Sequence, residues 1–259
     1  MTARQKAALL RAIVAAVLIA AAVLLVGQFV PFFATAANLE NVLAQAAILS
    51  VVAFGMTLVV LSGGIDLSVG GIMSLVGVTE VALVGGGVPW PAAIVVGLGV
   101  GALVGAANAV IVSRLKLPPF IATFGTLGIA AGLALYLADL VGRPILPSDL
   151  VAIGNESILN VPYLVFLAVG LLIVLELVWR GTSWGVHLRA TGDNLAVAKL
   201  SGVPTVRVLT SAYIVSGLTA ATAGSMLAAR LGTASPLQGE PFTLSAVAAC
   251  VIGGVDLFG

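Results

Sequence analysis

The stretch RGTSWGVHLRATGDNLAVAKLSGVPTVR, from Arg180 to Arg207, is the long polar segment of this chain that lies between hydrophobic runs and carries a cluster of positive charge. Its basic side chains and its histidine outnumber its one acid, Asp193. Positively charged loops of membrane proteins are retained on the cytoplasmic side of the bilayer. The stretch therefore predicts the inner face of a membrane protein, and the hydrophobic runs on either side of it are predicted to be membrane spans.

A short helix is predicted inside this segment. Residues 191–194, with the sequence TGDN, favour a helix start, and we expect Asp193 to cap it by accepting a hydrogen bond from a free N–H group. Residues 195–201 would then form about two turns, closed by Gly202 in a left-handed conformation. Both a docking helix for a soluble partner and an ordinary solvated loop fit this pattern.

The composition points to a membrane and away from several other classes of protein. Hydrophobic residues make up 61% of the chain and charged residues 8%, against roughly 25% charged in a soluble domain. The net charge of +1 is too small to indicate a basic surface that binds nucleic acid. With one histidine and one cysteine, no His/Cys metal cluster is possible. The P-loop pattern GxxxxGK[ST] is also missing, so the sequence predicts neither an enzyme, nor a cofactor, nor a metal site.

The hydrophobic runs predict an all-α, polytopic transmembrane helical bundle. Each of the first seven runs has about the 20 residues that a helix needs to cross the hydrocarbon core. With the N-terminus inside, alternating directions leave only Arg143 and Arg230 of the basic residues outside, as the positive-inside rule requires. A cleaved signal peptide is the alternative for the first run, which exceeds the usual ~7–15 residues of a signal core. The predicted spans are Ala12–Val30, Asn41–Leu61, Leu67–Val84, Ala92–Val112, Phe120–Ala138, Val161–Trp179, Val208–Ala229 and an eighth from Phe242.

A helix break is predicted at residues 62–68, with the sequence SGGIDLS. Glycines release the backbone from helix, and non-helical backbone at membrane depth is tolerated only against protein or a water-filled cavity. A carboxylate at that depth, here Asp66, is costly and often marks a transport path. Two readings of Asp66 stay open: a cap for the following helix, or a direct ligand of the transported solute.

The same pattern, Gly-Gly-x-Asp-Leu, returns at residues 253–257 and brings Asp256 into a corresponding place. Interrupted helices in corresponding places of a transporter point toward its central pathway. Two polar side chains in neighbouring spans, Asn108 and Thr123, could form hydrogen bonds between helices. The candidate pathway residues are Ser62, Gly63, Gly64, Asp66, Ser68, Asn108, Thr123 and Asp256.

Small residues recur at every fourth position of the fourth span and predict close helix packing. The stripe consists of Ala93, Gly97, Gly101, Gly105 and Ala109. Such a stripe lets another helix approach, either within one subunit or across a dimer. The next span carries a similar set of glycines, for which we expect a similar role: Gly125, Gly128 and Gly132.

Several stretches together resemble the permease subunits of ribose-type simple-sugar ABC importers. They are RATGDNLAVAKLSGV (189–203), TLVVLSGGIDLSVGG (57–71), LPPFIATFGT (117–126) and AVAACVIGGVDLFG (246–259), and the similarity extends over residues 38–259. The resemblance implies a single transmembrane permease domain over residues 1–259 whose coupling loop is 180–207. It also implies that the family pattern continues past Gly259, so that about eight of a probable ten spans are present.

The resemblance further implies how such a subunit works. A separate ATPase subunit would dock on the coupling loop, a periplasmic binding protein would deliver a monosaccharide such as ribose, and a second permease copy, identical or different, would complete the pore. The location implied is the bacterial inner membrane. The residues that would couple to the ATPase are Arg189, Gly192, Asp193, Asn194, Ala196, Val197, Leu200 and Gly202. The alternative function is a proton-coupled secondary transporter that uses Asp66 or Asp256.

Overall fold

The computed structural model describes residues 14, 17–18, 20–21, 23–141 and 145–255. Helices make up nearly all of the regular structure, as the sequence predicts, and one short hairpin is the exception. The helices are α1 (Ala36–Leu61), α2 (Val69–Gly85), α3 (Trp90–Ser113), α4 (Pro119–Val141), α5 (Ser148–Asn155), α6 (Tyr163–Gly181), α7 (Ser183–Asp193), α8 (Leu195–Leu200), α9 (Thr205–Leu231) and α10 (Glu240–Ile252). The antiparallel strands β1 (Ser157–Ile158) and β2 (Val161–Pro162) form the hairpin between α5 and α6.

Five helices of the described residues, α1, α3, α4, α6 and α9, are long and apolar enough to cross a membrane. Two further apolar helices are shorter, at 17 residues for α2 and 13 for α10. This pattern is that of a polytopic helical membrane protein. The count of eight spans stays a prediction, because the first predicted span, Ala12–Val30, falls largely outside the described residues.

The centre of the bundle is formed by α1, α2 and α9, while α6 lies at its edge. In the most apolar window of α9, 72% of residues are buried, and in that of α6 only 11%. The core consists mainly of alanine, valine and leucine side chains, with the ring of Tyr213 fully buried among them. The helix that follows the coupling loop therefore runs through the middle of the molecule.

The small-residue stripe of α3 packs inside the subunit, against α9 and α2. A Cβ atom on Gly101 would overlap the carbonyl group of Gly217 on α9, and a Cβ atom on Gly217 would overlap that of Gly101. One turn further on, Gly105 faces the carbonyl group of Tyr213 in the same way. The two backbones are thus in direct contact, which confirms the intrasubunit reading of this stripe.

The glycines of α4 behave differently, and the expectation of a similar packing role within the chain was wrong. Gly125, Gly128 and Gly132 are exposed, and a Cβ atom on any of them would meet no described atom within 4 Å. The helix instead turns the face with Ala130 and Ala134 toward the core. Glycine spacing identifies a smooth helix face but does not show whether that face points inward.

The chain between α9 and α10 is not helical. Gly232 ends α9 in a left-handed conformation, with φ at +69°. The chain then runs along α2, where the N–H of Gly239 donates a hydrogen bond to Ser74 Oγ at 2.9 Å. A Cβ atom on Gly239 would overlap the carbonyl group of Gly70. The eighth predicted span, expected near Phe242, corresponds to α10, which begins at Glu240 after this segment and is 13 residues long.

Candidate functional site

The break between α1 and α2 is present where the sequence predicts it. Gly63 has φ at +82°, a conformation that glycine adopts without steric cost. The N–H of Gly64 donates to the carbonyl of Val59 at 3.0 Å, and Ser62 Oγ donates to the same carbonyl at 2.7 Å. The end of α1 thus has its free carbonyl groups satisfied by the residues that leave the helix.

Asp66 is fully buried within this break and accepts hydrogen bonds on both carboxylate oxygens. Its Oδ1 accepts from the backbone N–H of Ser68 at 3.0 Å and from Ser68 Oγ at 2.5 Å. Its Oδ2 accepts from Ser216 Oγ of α9 at 2.8 Å. The bond to the N–H of Ser68, two residues further on, forms a turn that leads into α2. The N-cap residue of α2 is Ser68 itself, which makes no side-chain cap bond, so the role of Asp66 as a helix cap stays a prediction. Ser216 was missed, because one serine in an apolar span gives no signal of its own.

Hydrogen bonds extend from Asp66 to α3 and α4. Asn108 Nδ2 donates to Ser68 Oγ at 2.8 Å, and Thr126 Oγ1 donates to Asn108 Oδ1 at 2.6 Å. Thr123 Oγ1 accepts from the N–H of Leu67 at 3.0 Å. The interhelical bond expected of Asn108 is present, to Thr126 of α4, which was not foreseen. Thr123 bonds the backbone of the break and not another helix. The resulting polar network consists of Asp66, Ser68, Asn108, Thr123, Thr126 and Ser216.

The polar network is enclosed by protein, since each of its six side chains is buried. Its groups satisfy one another across the break, α3, α4 and α9. A buried polar network whose members are all paired rigidifies its surroundings. The arrangement therefore suits holding the broken helix in one position, and the direct contact of Asp66, Ser68, Asn108 or Thr123 with a solute stays a prediction.

The first half of the break lies in a different environment. Ser62, Gly63 and Gly64 line a cavity of about 530 Å³, here called the inner cavity. The opposite wall comes from the coupling loop, through Gly192 and Lys199 among others. Of the described candidate pathway residues, Ser62, Gly63 and Gly64 therefore line the inner cavity. The others belong to the polar network: Asp66, Ser68, Asn108 and Thr123. Asp256, the remaining candidate, lies outside the described residues.

The coupling loop folds into two helices, α7 and α8. The cap of α8 is Asn194, whose Oδ1 accepts from the N–H groups of Ala196 and Val197, both at 3.0 Å. The expectation that Asp193 caps this helix was wrong, because Asp193 is the last residue of α7. Gly202 has φ at +79° and closes α8 as predicted. Helix α7 was missed because Gly185 and Gly192 disfavour helix in its sequence.

Helix α8 presents an apolar face to its surroundings. The side chain of Leu200 is 89% exposed and that of Val197 is 56% exposed, and Ala196 is exposed beside them. Ala198, on the other side, is buried against the bundle. The face formed by Ala196, Val197 and Leu200, named the α8 face below, is therefore accessible in the isolated chain.

The coupling loop touches the broken helix directly at Gly192. A Cβ atom on Gly192 would overlap the carbonyl oxygen of Leu61, and it would lie 3.4 Å from the Cα of Ser62. The last turn of α7 is thus packed on the end of α1 without an intervening side chain. Arg189 lies over the ring of Trp179, with 4.7 Å between the guanidinium carbon and the ring centre.

The second Gly-Gly motif also ends a helix, but in a shifted register. Gly254, the second glycine of the pair, has φ at +88°, whereas in the first motif the left-handed residue is the first glycine, Gly63. The N–H of Val255 donates to the carbonyl of Cys250 at 3.1 Å, as that of Gly64 does to Val59. The two motifs use the same helix-ending device and do not correspond residue by residue.

Residues 38–259 match the family described as "Branched-chain amino acid transport system / permease component". The chain belongs to this permease family. Among curated relatives of the permease, the fructose import permease protein of Rhizobium meliloti is 40% identical over an alignment of 256 residues that covers 93% of this chain and 69% of the relative. The ribose import permease protein of Bacillus subtilis is 36% identical over 241 residues, 92% of this chain and 74% of the relative.

A third relative is named for a different sugar from the first two. The galactofuranose transporter permease protein of Escherichia coli is 37% identical over 220 residues, 85% of this chain and 64% of the relative. No solved structure matches the permease. The resemblance to ribose-type sugar ABC importer permeases, predicted from the sequence motifs, is confirmed by these relatives.

Proposed function

We propose that this permease forms the membrane pathway for a monosaccharide and couples it to ATP hydrolysis by a separate ATPase subunit. The single observation that carries the proposal is the contact of the coupling loop with the helix break, where Gly192 packs on Leu61. A movement of α7 and α8, caused by a partner on the cytoplasmic side, would be transmitted to Ser62–Gly64 through this backbone contact. Those residues line the inner cavity.

The α8 face would seat the ATPase. A helix of six residues is too short to be stable by itself, since isolated helices below about 12–15 residues are marginal in water. The cap by Asn194 and the packing of Ala198 against the bundle stabilise it. The α8 face stays exposed and would contact the partner. Docking there would move α7 and α8 together, while the polar network fixes the other end of the break.

The assembly proposed for this chain follows from the class of transporter. Its partners are an ABC ATPase subunit, a periplasmic sugar-binding protein, a second permease copy and the lipid bilayer. The chain would lie in the bacterial inner membrane with its N-terminus in the cytoplasm. The positive charge of the coupling loop supports this orientation, because basic loops are retained on the cytoplasmic side. The relatives named for fructose, ribose and galactofuranose support a monosaccharide, such as ribose, as the solute.

Uptake by proteoliposomes that contain the permease, its ATPase and its binding protein tests this function. We expect uptake of radiolabelled ribose or fructose to require ATP, to stop with vanadate and to continue with a protonophore. The control is the same vesicle preparation without the ATPase subunit. Uptake without ATP that a protonophore abolishes would instead establish the proton-coupled alternative, with Asp66 or Asp256 as the titrating group.

A further inference from the structure

Two hydroxyl groups that line the inner cavity have no hydrogen-bond partner among the described residues. They are the phenolic oxygen of Tyr213 and Oγ of Ser113. The side chain of Tyr213 is 0% exposed, so its hydroxyl group is removed from bulk solvent. Leaving a buried hydroxyl unpaired is unfavourable, and most buried polar groups in proteins have a partner. These two groups therefore need a ligand or water to bind.

Gly64, which lines the inner cavity, packs directly on the hydroxyl group of Tyr213. A Cβ atom on Gly64 would lie 2.7 Å from the phenolic oxygen of Tyr213. Any larger residue at this place would cover the hydroxyl group or displace it. Gly64 belongs to the helix break, so the missing side chain at this place leaves the room that the tyrosine hydroxyl occupies beside the cavity.

The other walls suit a small molecule with both hydroxyl groups and apolar ring faces. Val112 and Leu209 contribute apolar surface, Ser62 and Thr205 contribute further hydroxyl groups, and none of the lining residues is acidic. A volume of about 530 Å³ lies in the range of small-molecule sites. The cavity also lies between the coupling loop and the break, so an occupant would contact both.

We propose that the inner cavity is a binding site for the imported monosaccharide on the cytoplasmic side of the pathway, where Tyr213 and Ser113 form hydrogen bonds to sugar hydroxyl groups before release. This rests on the proposed function for its ligand class. It assigns to Tyr213, which the sequence did not single out, a contact with the solute. Sugar in the cytoplasm would occupy the same site and slow further transport.

Protection of an introduced cysteine from a thiol reagent tests the site without requiring transport. Val206 lines the cavity and its side chain is 41% exposed. We would introduce Val206→Cys in a Cys250→Ala background and label the full permease–ATPase complex in inside-out vesicles with a charged methanethiosulfonate. The matched control is Val186→Cys on α7, whose side chain is 61% exposed and does not line the cavity.

We expect ribose or fructose to slow labelling at position 206 and to leave position 186 unaffected. Adding Tyr213→Phe should raise the half-protecting sugar concentration about three- to tenfold, the effect of losing one hydrogen bond. Ser113→Ala should act in the same direction. Tyr213→Phe removes only an unpaired hydroxyl group, so the variant is expected to fold, which size-exclusion chromatography checks.

Equal labelling at position 206 with and without sugar would overturn the proposal. So would unchanged protection in both Tyr213→Phe and Ser113→Ala, which would leave water as the partner of these hydroxyl groups. Protection by inorganic phosphate alone would make the cavity an anion site governed by Lys116 and Lys199, and would also overturn it. Sugar protection without ATP-dependent uptake would reject the proposed function and leave the binding site standing.

Discussion

Asp66 and Asn194 perform the same local task in two different environments. Each accepts a hydrogen bond from the backbone N–H two residues further on, where the chain enters the next helix. Asn194 also accepts from the N–H three residues further on and is the N-cap of α8, whereas the N-cap of α2 is Ser68. Asp66 is fully buried and also binds side chains of the break and of α9. Asn194 is exposed and binds only its own helix, α8.

The difference shows how burial decides what a hydrogen-bonding side chain before a helix controls. The Asp66 carboxylate connects elements that are far apart in the chain, because its neighbours Ser68 and Ser216 belong to different parts of the bundle. The Asn194 amide orders about two turns of surface helix. We therefore expect changes at Asp66 to affect the folding of the whole subunit, and changes at Asn194 to affect docking alone.

The largest effect is expected for Asp66→Ala. The substitution leaves the Ser68 N–H and the Ser68 and Ser216 hydroxyl groups without their acceptor, at about 1–3 kcal/mol for each buried unsatisfied group. Most of the folded protein should be lost, as measured by monodisperse yield and thermal unfolding in detergent. Asp66→Asn, which keeps an acceptor oxygen at the Ser68 N–H, is the control and should retain much of the yield and of the uptake. Folded Asp66→Asn without any uptake would instead show that the charge serves the pathway.

Ala196→Glu is expected to have the next largest effect, and on coupling alone. The substitution places a charge on the α8 face, where docking would have to desolvate it without a partner. The variant should fold normally, lose most of the co-purified ATPase and lose transport-stimulated ATP hydrolysis. Full ATPase retention with normal coupling would remove the α8 face from the mechanism.

Asn194→Ala should have a smaller effect, because it removes a single exposed cap. Such a cap stabilises a helix by about 1 kcal/mol, so the yield of folded permease should not change. ATPase co-purification should weaken several-fold, and Asn194→Asp, which retains an acceptor oxygen, should restore it. If Asn194→Ala lowered the unfolding temperature as much as Asp66→Ala, the distinction between the two residues would be wrong.

The smallest effect is expected for Arg189→Ala. Arg189 lies over Trp179, and an exposed cation–π contact contributes roughly 0.5–1 kcal/mol. A pair with an acid on the ATPase surface would add about as little. Coupled ATP hydrolysis should therefore stay close to that of the unsubstituted permease, with Arg189→Lys as the charge-preserving control. A loss equal to that of Ala196→Glu would place Arg189 at the centre of the docking contact.

The sequence predicted what depends on hydrophobicity and backbone freedom. Long apolar runs marked the main helices, and paired glycines marked the break at residues 62–68 and the end of α10 near Gly254. It could not predict which face of a helix points inward, because α4 and α3 carry similar glycine spacing in different environments. Ser216 and Thr126 were missed for a related reason: a hydroxyl in an apolar span is meaningful only once its partner is placed.

The contact between Gly101 and Gly217 limits how this subunit can move. Two backbones that touch without side chains between them cannot slide past one another by a residue, since the bulkier neighbours of each glycine would then collide. Helices α3 and α9 should consequently travel as one rigid body when the two sides of the membrane are opened in turn. The hinges of that cycle are then to be sought at the borders of this pair with its peripheral neighbours, in particular the weakly buried α4 and α6.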